Sequence, residues 1–234
     1  MTDFARRDEL AARLAAVRQR IAAACRAVDR DPGEITLIAV TKTRPASDVR
    51  LLAGLGVSDI GENRDAEAAP KAAACADLDL SWHFIGQLQT NKAASVVRYA
   101  RVVHSVDRMR LIRALGTAAR RAGRVVSCLI EVSLDGDPAR GGALAEEVPA
   151  LAEALAAEPG LVLGGVMAIA PLGMPPAHAF ARLAESASAV RAVCPAATVI
   201  SAGMSGDLEA AIAAGATHLR IGTALLGDRG PGVM

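Results

Sequence analysis

The sequence predicts an α/β fold, a closed (β/α)8 barrel with an extra helix at its N-terminus. Strand-like and helical stretches alternate along almost the whole chain, and eight stretches have strand character. Eight parallel strands close a barrel of this kind, and 234 residues are long enough for one. The same pattern is compatible with an open doubly wound sheet. Because no linker or low-complexity segment divides the chain, we expect a single domain over residues 1–234.

The extra N-terminal helix is predicted over residues 5–28. Apolar side chains recur there at spacings of three, four and seven residues, at Leu10, Leu14, Val17, Ile21 and Val28. Such a stripe is typical of a helix that packs one face on a core.

Turn residues punctuate the elements that follow. Pro45 follows the first strand and Ser47 is a candidate N-cap, while Gly56 and Gly215 close helices. Strands are predicted at residues 35–41, 57–60, 81–85, 101–105, 125–132, 161–167, 197–201 and 217–221. Helices are predicted between them, at residues 47–55, 63–75, 91–98, 107–121, 142–156, 176–193 and 206–214.

The composition argues against several classes of protein. The net charge is +1 and aromatic residues make up 2%, so neither a basic stripe nor a stacking platform for nucleic acid is present. The cysteines are far apart, without the Cys-x-x-Cys spacing of a zinc site, which is typical of thiols in a reducing compartment. Neither a signal peptide nor an apolar stretch of membrane-spanning length is evident. We therefore expect a cytoplasmic protein with neither nucleic acid nor membrane as a partner.

Polar residues and glycines collect where the predicted strands end. In a barrel, these carboxyl ends and the loops after them meet at one face, where active residues gather. The sequence therefore predicts one site built from many strands. The ends in question are Thr41–Thr43, Gly61–Asn63, His83–Gly86, His104–Ser105, Glu131–Ser133, Met167, Ser201–Ser205 and Arg220–Thr223.

Lys42 ends the first predicted strand, a buried apolar run that starts at Ile35. A charge at such a position is costly unless it is paired or used. A sheltered lysine amine can attack a carbonyl group and form a Schiff base. The alternative is a lysine that simply reaches water.

Two strand ends resemble a cradle for an anion. Ser205 immediately precedes the helix expected at Asp207–Ala214, and its hydroxyl is placed to cap that helix, where N–H groups attract a phosphate. At the end of the eighth strand, Gly222 lets an oxyanion approach the backbone closely, and Thr223 adds a hydroxyl group. Strands seven and eight commonly supply the phosphate site of a barrel, so we expect phosphate binding here.

Arg220 precedes Gly222 by two residues. Alternation along a strand places Arg220 and Gly222 on one face of strand eight, and Val40 and Lys42 on one face of strand one. Because strands one and eight are neighbours in a closed barrel, Lys42 and Arg220 are expected to face one ligand. The alternative role for Arg220 is a salt bridge to an acid such as Asp228.

A Schiff-base lysine, a phosphate cradle and a nearby arginine fit pyridoxal 5′-phosphate, whose aldehyde, phosphate and ring nitrogen each need one of these groups. The competing ligand is a sugar phosphate with a carbonyl group, as in a Schiff-base aldolase.

Taken together, the motifs closely resemble the pyridoxal phosphate homeostasis protein family. The resemblance runs in order from the N-terminal helix to Gly227, and its most specific part is the segment Trp82–Lys92. The other matching segments are Ile38–Thr43, Gly61–Asn63, Gly203–Ser205 and Arg220–Thr223.

The resemblance implies a modified TIM barrel like the N-terminal domain of alanine racemase. It implies that Lys42 carries pyridoxal phosphate and that Arg220 meets the ring nitrogen. It also implies that Asn63 and His83 lie near the cofactor. The residues implied to hold the phosphate are Ser205, Gly222 and Thr223.

The same resemblance implies an intracellular protein that binds pyridoxal phosphate as a Schiff base and acts in vitamin B6 and amino-acid homeostasis. Substantial catalytic turnover is not expected, and apo-enzymes are candidate recipients of the cofactor. The alternative is a pyridoxal phosphate-dependent amino-acid racemase or a Schiff-base aldolase. The chain stops soon after the eighth strand, without a second domain to cover the cofactor, and this favours the binding role. We expect a monomer.

Overall fold

The eight strands form a closed parallel barrel in chain order, from β1 to β8 and back to β1. The structure is a computed structural model that describes residues 3–137 and 139–227. The strands are β1 (Thr36–Val40), β2 (Asp59–Glu62), β3 (Ser81–Phe84), β4 (Val102–Val106), β5 (Val126–Glu131), β6 (Leu161–Met167), β7 (Val199–Ser201) and β8 (His218–Ile221).

Helices surround this barrel and connect successive strands. In the described residues they are α1 (Asp3–Arg26), α2 (Ala46–Gly54), α3 (Asp65–Ala74), α4 (Ala93–Tyr99), α5 (Met109–Ala122), α6 (Val148–Ala157), α7 (Pro176–Val193), α8 (Leu208–Ala213) and α9 (Thr223–Leu226). The (β/α)8 prediction is confirmed, and the pairing of β1 with β8 rules out the open sheet. The short helix α9 was not predicted from the sequence.

Strand boundaries agree with the predicted ones to within two residues, and one helix start differs by more than that. The helix expected from residue 142 begins only at Val148, because Gly141 and Gly142 adopt positive φ angles of 73° and 93°. The Ser47 cap is also wrong. Helix α2 already begins at Ala46, and its N-cap is Pro45 with φ −70°.

Helix α1 packs on the barrel through most of its predicted stripe. Leu10, Leu14, Val17 and Ile21 are buried and contribute to the main hydrophobic core, next to α8 and α9. Val28 lies beyond the end of the helix and is 38% exposed, so its place in the stripe was wrong. The helix thereby supports α9, which begins at Thr223, and α8, which follows the turn of Ser205.

The interior of the barrel contains polar side chains in addition to the usual branched apolar ones. His83, His104, Ser201 and Arg220 are all buried, with at most 4% of each residue exposed. Buried polar groups are costly unless they are hydrogen-bonded. These side chains lie just below the carboxyl ends of the strands, where the site is expected.

Candidate functional site

Lys42 lies two residues beyond β1, in an exposed turn at the carboxyl end of the barrel. The turn is closed by a hydrogen bond from the N–H of Arg44 to the carbonyl of Thr41 at 3.0 Å. Thr43, the next residue, has a φ of 63°, which is rare for a β-branched side chain. Glu67 of α3 accepts the N–H of Thr43 at 3.0 Å and holds this strained residue in place.

A second contact from α3 fixes the base of the same turn. The Lys71 amine donates to the carbonyl of Thr41 at 2.8 Å and to Glu62, and Glu62 also accepts the hydroxyl of Thr41 at 2.6 Å. All three residues are buried. Burial raises the pKa of Glu62, against the effect of the bonds from Lys71 and Thr41. Two residues of α3 one turn apart, Glu67 and Lys71, therefore anchor the peptide that carries Lys42.

The two halves of the predicted phosphate cradle lie together. The Ser205 hydroxyl accepts the N–H of Ala224, in the first turn of α9, at 3.1 Å. Arg20 of α1 donates to the Ser205 carbonyl at 3.0 Å. The exposed Thr223 begins α9, directly after Gly222. Ser205 and the Gly222–Thr223 pair thus form one polar rim, as the sequence predicted.

The predicted cap of α8 by Ser205 is wrong. The N-cap of α8 is Asp207, whose carboxylate accepts the N–H of Met204 at 2.6 Å. A carboxylate at that N-terminus repels an anion, so the geometry favours the start of α9 for a phosphate. Gly203 has a φ of 90°, and a side chain there would come within 2.6 Å of Ala211, so this turn requires glycine.

Arg220 points its guanidinium across the barrel toward β6 and β7. One Nη nitrogen donates to the carbonyl and hydroxyl of Ser201 at 2.8 and 2.7 Å, and the other donates to the carbonyl of Ala168 at 2.8 Å. The Nε–H has no acceptor among the described residues. Burial lowers the pKa of Arg220 to about 10, so it remains a cation at neutral pH. Asp228, the alternative salt-bridge partner, lies outside the described residues.

His83 has both ring nitrogens in hydrogen bonds inside the barrel. Its Nε2 lies 3.0 Å from Asp59, and its Nδ1 lies 2.9 Å from Nε2 of His104. The Nδ1 of His104 lies 3.0 Å from the hydroxyl of Ser201, which contacts Arg220. The expected position of His83 near the cofactor stays a prediction, because both of its ring nitrogens lie in these hydrogen bonds. His83 is connected to the site through His104, Ser201 and Arg220.

Two further strand ends contribute to the barrel mouth. Asn63 follows β2 and is half-buried, and its backbone lies so close to Gly86 that a side chain at residue 86 would clash with it. Glu131 ends β5 beside a cavity of about 120 Å³, and its buried Oε2 has no hydrogen-bond partner in the described part of the chain. Burial raises the pKa of Glu131 to about 7, so this carboxyl group is half-protonated near neutral pH.

Sequence reasoning gave no role to Glu67, Lys71 and Asp59, which take part in this arrangement. Lys71 resembles a surface lysine, and only its i, i+4 spacing from Glu67 signals a shared helix face. Asp59 was assigned to a strand without a role. Within the described ranges, no group of three or more His, Cys, Asp or Glu residues is placed to hold a metal ion. No helix of the same ranges combines the length and apolar character needed to cross a membrane.

Comparison with known proteins identifies the family. A family model described as the N-terminal domain of alanine racemase matches residues 12–230. The pyridoxal phosphate homeostasis protein of Mycobacterium tuberculosis (strain ATCC 25618 / H37Rv) is 43% identical over 244 aligned residues, covering 96% of this chain and 94% of that protein. The chain belongs to the pyridoxal phosphate homeostasis protein family. The resemblance inferred from the motifs is thus confirmed.

Solved structures related to this family member support the fold. PipY of Synechococcus elongatus PCC7942, solved with pyridoxal phosphate bound, is 35% identical, with a TM-score of 0.82 and coverage of 93% of this chain and all of that one. Alanine racemase from Corynebacterium glutamicum is 16% identical with a TM-score of 0.70, and the match covers 60% of that chain. At that identity the racemase shows only that the barrel is shared.

Proposed function

We propose that this member of the pyridoxal phosphate homeostasis protein family binds pyridoxal 5′-phosphate at the carboxyl end of the barrel, as a Schiff base with Lys42. The observation that carries the proposal is the contact between the Ser205 loop and the start of α9. Helix α9 directly follows β8, the strand that contains Arg220. This rim lies at the same end of the barrel as Lys42, because β1 pairs with β8. The relative solved with pyridoxal phosphate, PipY, supports the choice of ligand.

The residues present fit the three polar ends of this cofactor. The Ser205 hydroxyl and the Gly222–Thr223 segment offer hydrogen bonds to a phosphate at the start of α9. The unused Nε–H of Arg220 is available to donate to the ring nitrogen. When bound, pyridoxal phosphate supplies an aldehyde that condenses with amines and an aromatic ring that withdraws electrons. The Lys42 nitrogen adds to the aldehyde carbon, and one water leaves with the carbonyl oxygen.

We further propose that the protein holds the cofactor for intracellular vitamin B6 and amino-acid homeostasis, with little turnover. Arginine only donates hydrogen bonds, so a ring nitrogen paired with Arg220 is an acceptor and stays unprotonated. An unprotonated ring withdraws electrons weakly. His83 lies at a strand end and is a candidate acid–base group, but both of its ring nitrogens are in hydrogen bonds inside the barrel. The homeostasis role of the named relatives agrees with this reading.

A second candidate function, amino-acid racemisation, is favoured by one observation. Glu131 has an unpaired carboxyl oxygen at the barrel mouth and a pKa of about 7, which suits a general acid–base group. Lys42 would be the second group on the other side of the substrate.

Absorption spectra and peptide mapping test the binding proposal. Purified protein should show a visible band from the lysine-bound cofactor, and borohydride reduction should fix the label on the peptide that contains Lys42. Lys42→Ala should abolish the band, whereas Lys92→Ala, which removes an exposed lysine, should retain it. A label on another lysine contradicts the assignment.

A turnover assay separates the two functions. Catalytic amounts of the loaded protein are incubated with a panel of L-amino acids, and racemisation, transamination and decarboxylation are followed. The homeostasis role predicts no sustained turnover. Multiple turnovers that disappear in Glu131→Gln, with the visible band retained, would establish the racemase instead.

A further inference from the structure

Arg220 is a buried cation that contacts no carboxylate among residues 3–137 and 139–227. Its three hydrogen bonds to described residues go to two carbonyls and one hydroxyl, and 4% of the residue is exposed. An isolated buried charge is strongly unfavourable unless other groups compensate for it. The charges of Glu131 and Asp207 offset part of that cost. Aligned hydrogen bonds that lead to a further anion would add to this compensation.

A continuous row of hydrogen bonds provides that alignment. It runs from Arg220 to the Ser201 hydroxyl at 2.7 Å, to His104 at 3.0 Å, to His83 at 2.9 Å and to the carboxylate of Asp59 at 3.0 Å. Four of the five side chains are essentially inaccessible to solvent. The row therefore crosses the barrel interior and connects the cation with an anion.

The far end of the row is an ionised carboxylate. Asp59 is the first residue of β2, with 24% of its side chain exposed, and it lines a cavity of about 600 Å³ with Thr36 and Ser58. Partial burial opposes its ionisation, but the hydrogen bonds from His83 and Ser58 lower the pKa of Asp59 overall. Asp59 thus acts only as an acceptor at neutral pH.

The chemistry of the two ends fixes the direction of each bond. Arg220 only donates, so Ser201 Oγ accepts from it, and Asp59 only accepts, so Nε2 of His83 donates to it. His104 is fully buried, and its burial, followed by the charges of nearby groups, holds its pKa well below 6.5. A neutral His104 has one N–H. With that proton on Nε2, every bond is donated from the Arg220 end toward Asp59.

The other proton arrangements are unfavourable. If His104 carried its proton on Nδ1, its Nε2 would need a proton from Nδ1 of His83. His83 would then hold two protons and become an imidazolium ion. Although Asp59 would pair with it, this ion would be a second cation in the barrel interior that already contains Arg220. Without that extra proton, two lone pairs would face each other at 2.9 Å.

We propose that Asp59, His83, His104 and Ser201 form a one-directional hydrogen-bond relay that orients Arg220 for the ring nitrogen of the cofactor. In this relay the Ser201 hydroxyl donates its hydrogen to Nδ1 of His104. A lone pair of the Ser201 oxygen therefore faces Arg220. The guanidinium is then held by its Nη groups, and its Nε–H stays available. This role rests on the proposed function, and the four relay residues are positioning residues that do not touch the ligand.

Histidine ¹⁵N NMR of the apo-protein tests the direction of the relay without any cofactor. The chain contains four histidines, so a labelled sample gives an assignable spectrum. We expect His83 and His104 to be neutral Nε2–H tautomers at pH 7.5, with unprotonated Nδ1 atoms. A His104 protonated on Nδ1, or a His83 protonated on both nitrogens, overturns the proposal.

Ser201→Ala cuts the relay beside Arg220 and leaves the backbone carbonyl contact intact. We expect the variant to bind both pyridoxal phosphate and unphosphorylated pyridoxal about tenfold more weakly, because both have the ring nitrogen. It should also shift the Nδ1 resonance of His104. Ser201→Thr, which keeps a hydroxyl, should restore binding, and Ser186→Ala, at a buried serine of α7, is the matched control.

Affinities of Ser201→Ala equal to those of Ser186→Ala would overturn the orienting role. A loss restricted to the phosphorylated ligand would also overturn it, since that result would place the effect at the phosphate. Failure of the unaltered protein to bind pyridoxal phosphate would refute the proposed function instead, and the NMR experiment would still decide the direction of the relay.

Discussion

Lys71→Met should strongly destabilise the protein, because it leaves the carboxylate of Glu62 buried without its cation. The side chains of Lys71 and Glu62 are 7% and 0% exposed, so water cannot replace the lost contact. Removing one partner of a buried ion pair costs about 3–5 kcal/mol. The carbonyl of Thr41 also loses a donor, at 2.8 Å in the unaltered protein.

Urea unfolding of the apo-protein measures this cost. With a urea slope of about 2–3 kcal/mol per M, a loss of about 3–5 kcal/mol lowers the unfolding midpoint by about 1–2.5 M. Lys92→Met is the matched control, because it makes the same change at an exposed position where the effect should stay within about 0.5 kcal/mol. The double variant Lys71→Met/Glu62→Gln should recover much of the loss, since it removes the unpaired charge.

The destabilisation should also depend on pH. Burial already raises the pKa of Glu62, and without Lys71 the hydrogen bond from the Thr41 hydroxyl is the main contact left to oppose that effect. The folded pKa then lies further above the unfolded value of 4.5, so the variant gains stability as pH falls through the folded pKa and the carboxyl group takes up a proton. A loss that is the same at pH 5 and pH 8, or a double variant no more stable than Lys71→Met, would refute the reasoning.

Two other substitutions probe the barrel mouth. Ser205→Ala should weaken binding of pyridoxal phosphate about tenfold and leave unphosphorylated pyridoxal nearly unaffected, since a charge-assisted bond to phosphate is lost. Equal losses for both ligands in equilibrium titrations, with Ser47→Ala as the exposed control, would place the cradle elsewhere. Glu131→Gln should make the apo-protein more stable at pH 8 and flatten its pH dependence. The folded pKa of about 7 exceeds 4.5, so about 3 kcal/mol of stability present below pH 4.5 is lost as pH rises through 7. Urea midpoints that change with pH equally in the variant and the unaltered protein would contradict this.

The sequence was most informative where a local pattern has one physical solution. Alternating strand and helix patterns specified a parallel sheet, because parallel strands need helical crossovers. Their number, eight, favoured a closed barrel over an open sheet. The polar residues that follow the strands specified where the site lies. The Ser205 and Gly222–Thr223 segments could be paired in advance because strands seven and eight are adjacent in any such barrel.

Side-chain contacts between distant segments could not be predicted in this way. Ser205 is followed by a helix, so a cap was the simplest local expectation, yet its hydroxyl contacts the N–H of Ala224. The sequence placed His83 in a characteristic segment but did not indicate its hydrogen bonds to Asp59 and His104. Each choice depends on which partner lies within 3 Å after folding.

The sequence by itself therefore determined the parallel α/β architecture, the family and the end of the strands at which polar residues collect, while the pairing of β1 with β8 decided that the sheet closes. Only the tertiary structure decided how those residues are held: Lys71 and Glu67 under the turn of Lys42, and the row of bonds that ends at Arg220. The physical reason is that strand and helix patterns follow from local periodicity. A hydrogen bond between residues such as Ser201 and His104, 97 positions apart, exists only once the closed sheet brings their side chains together.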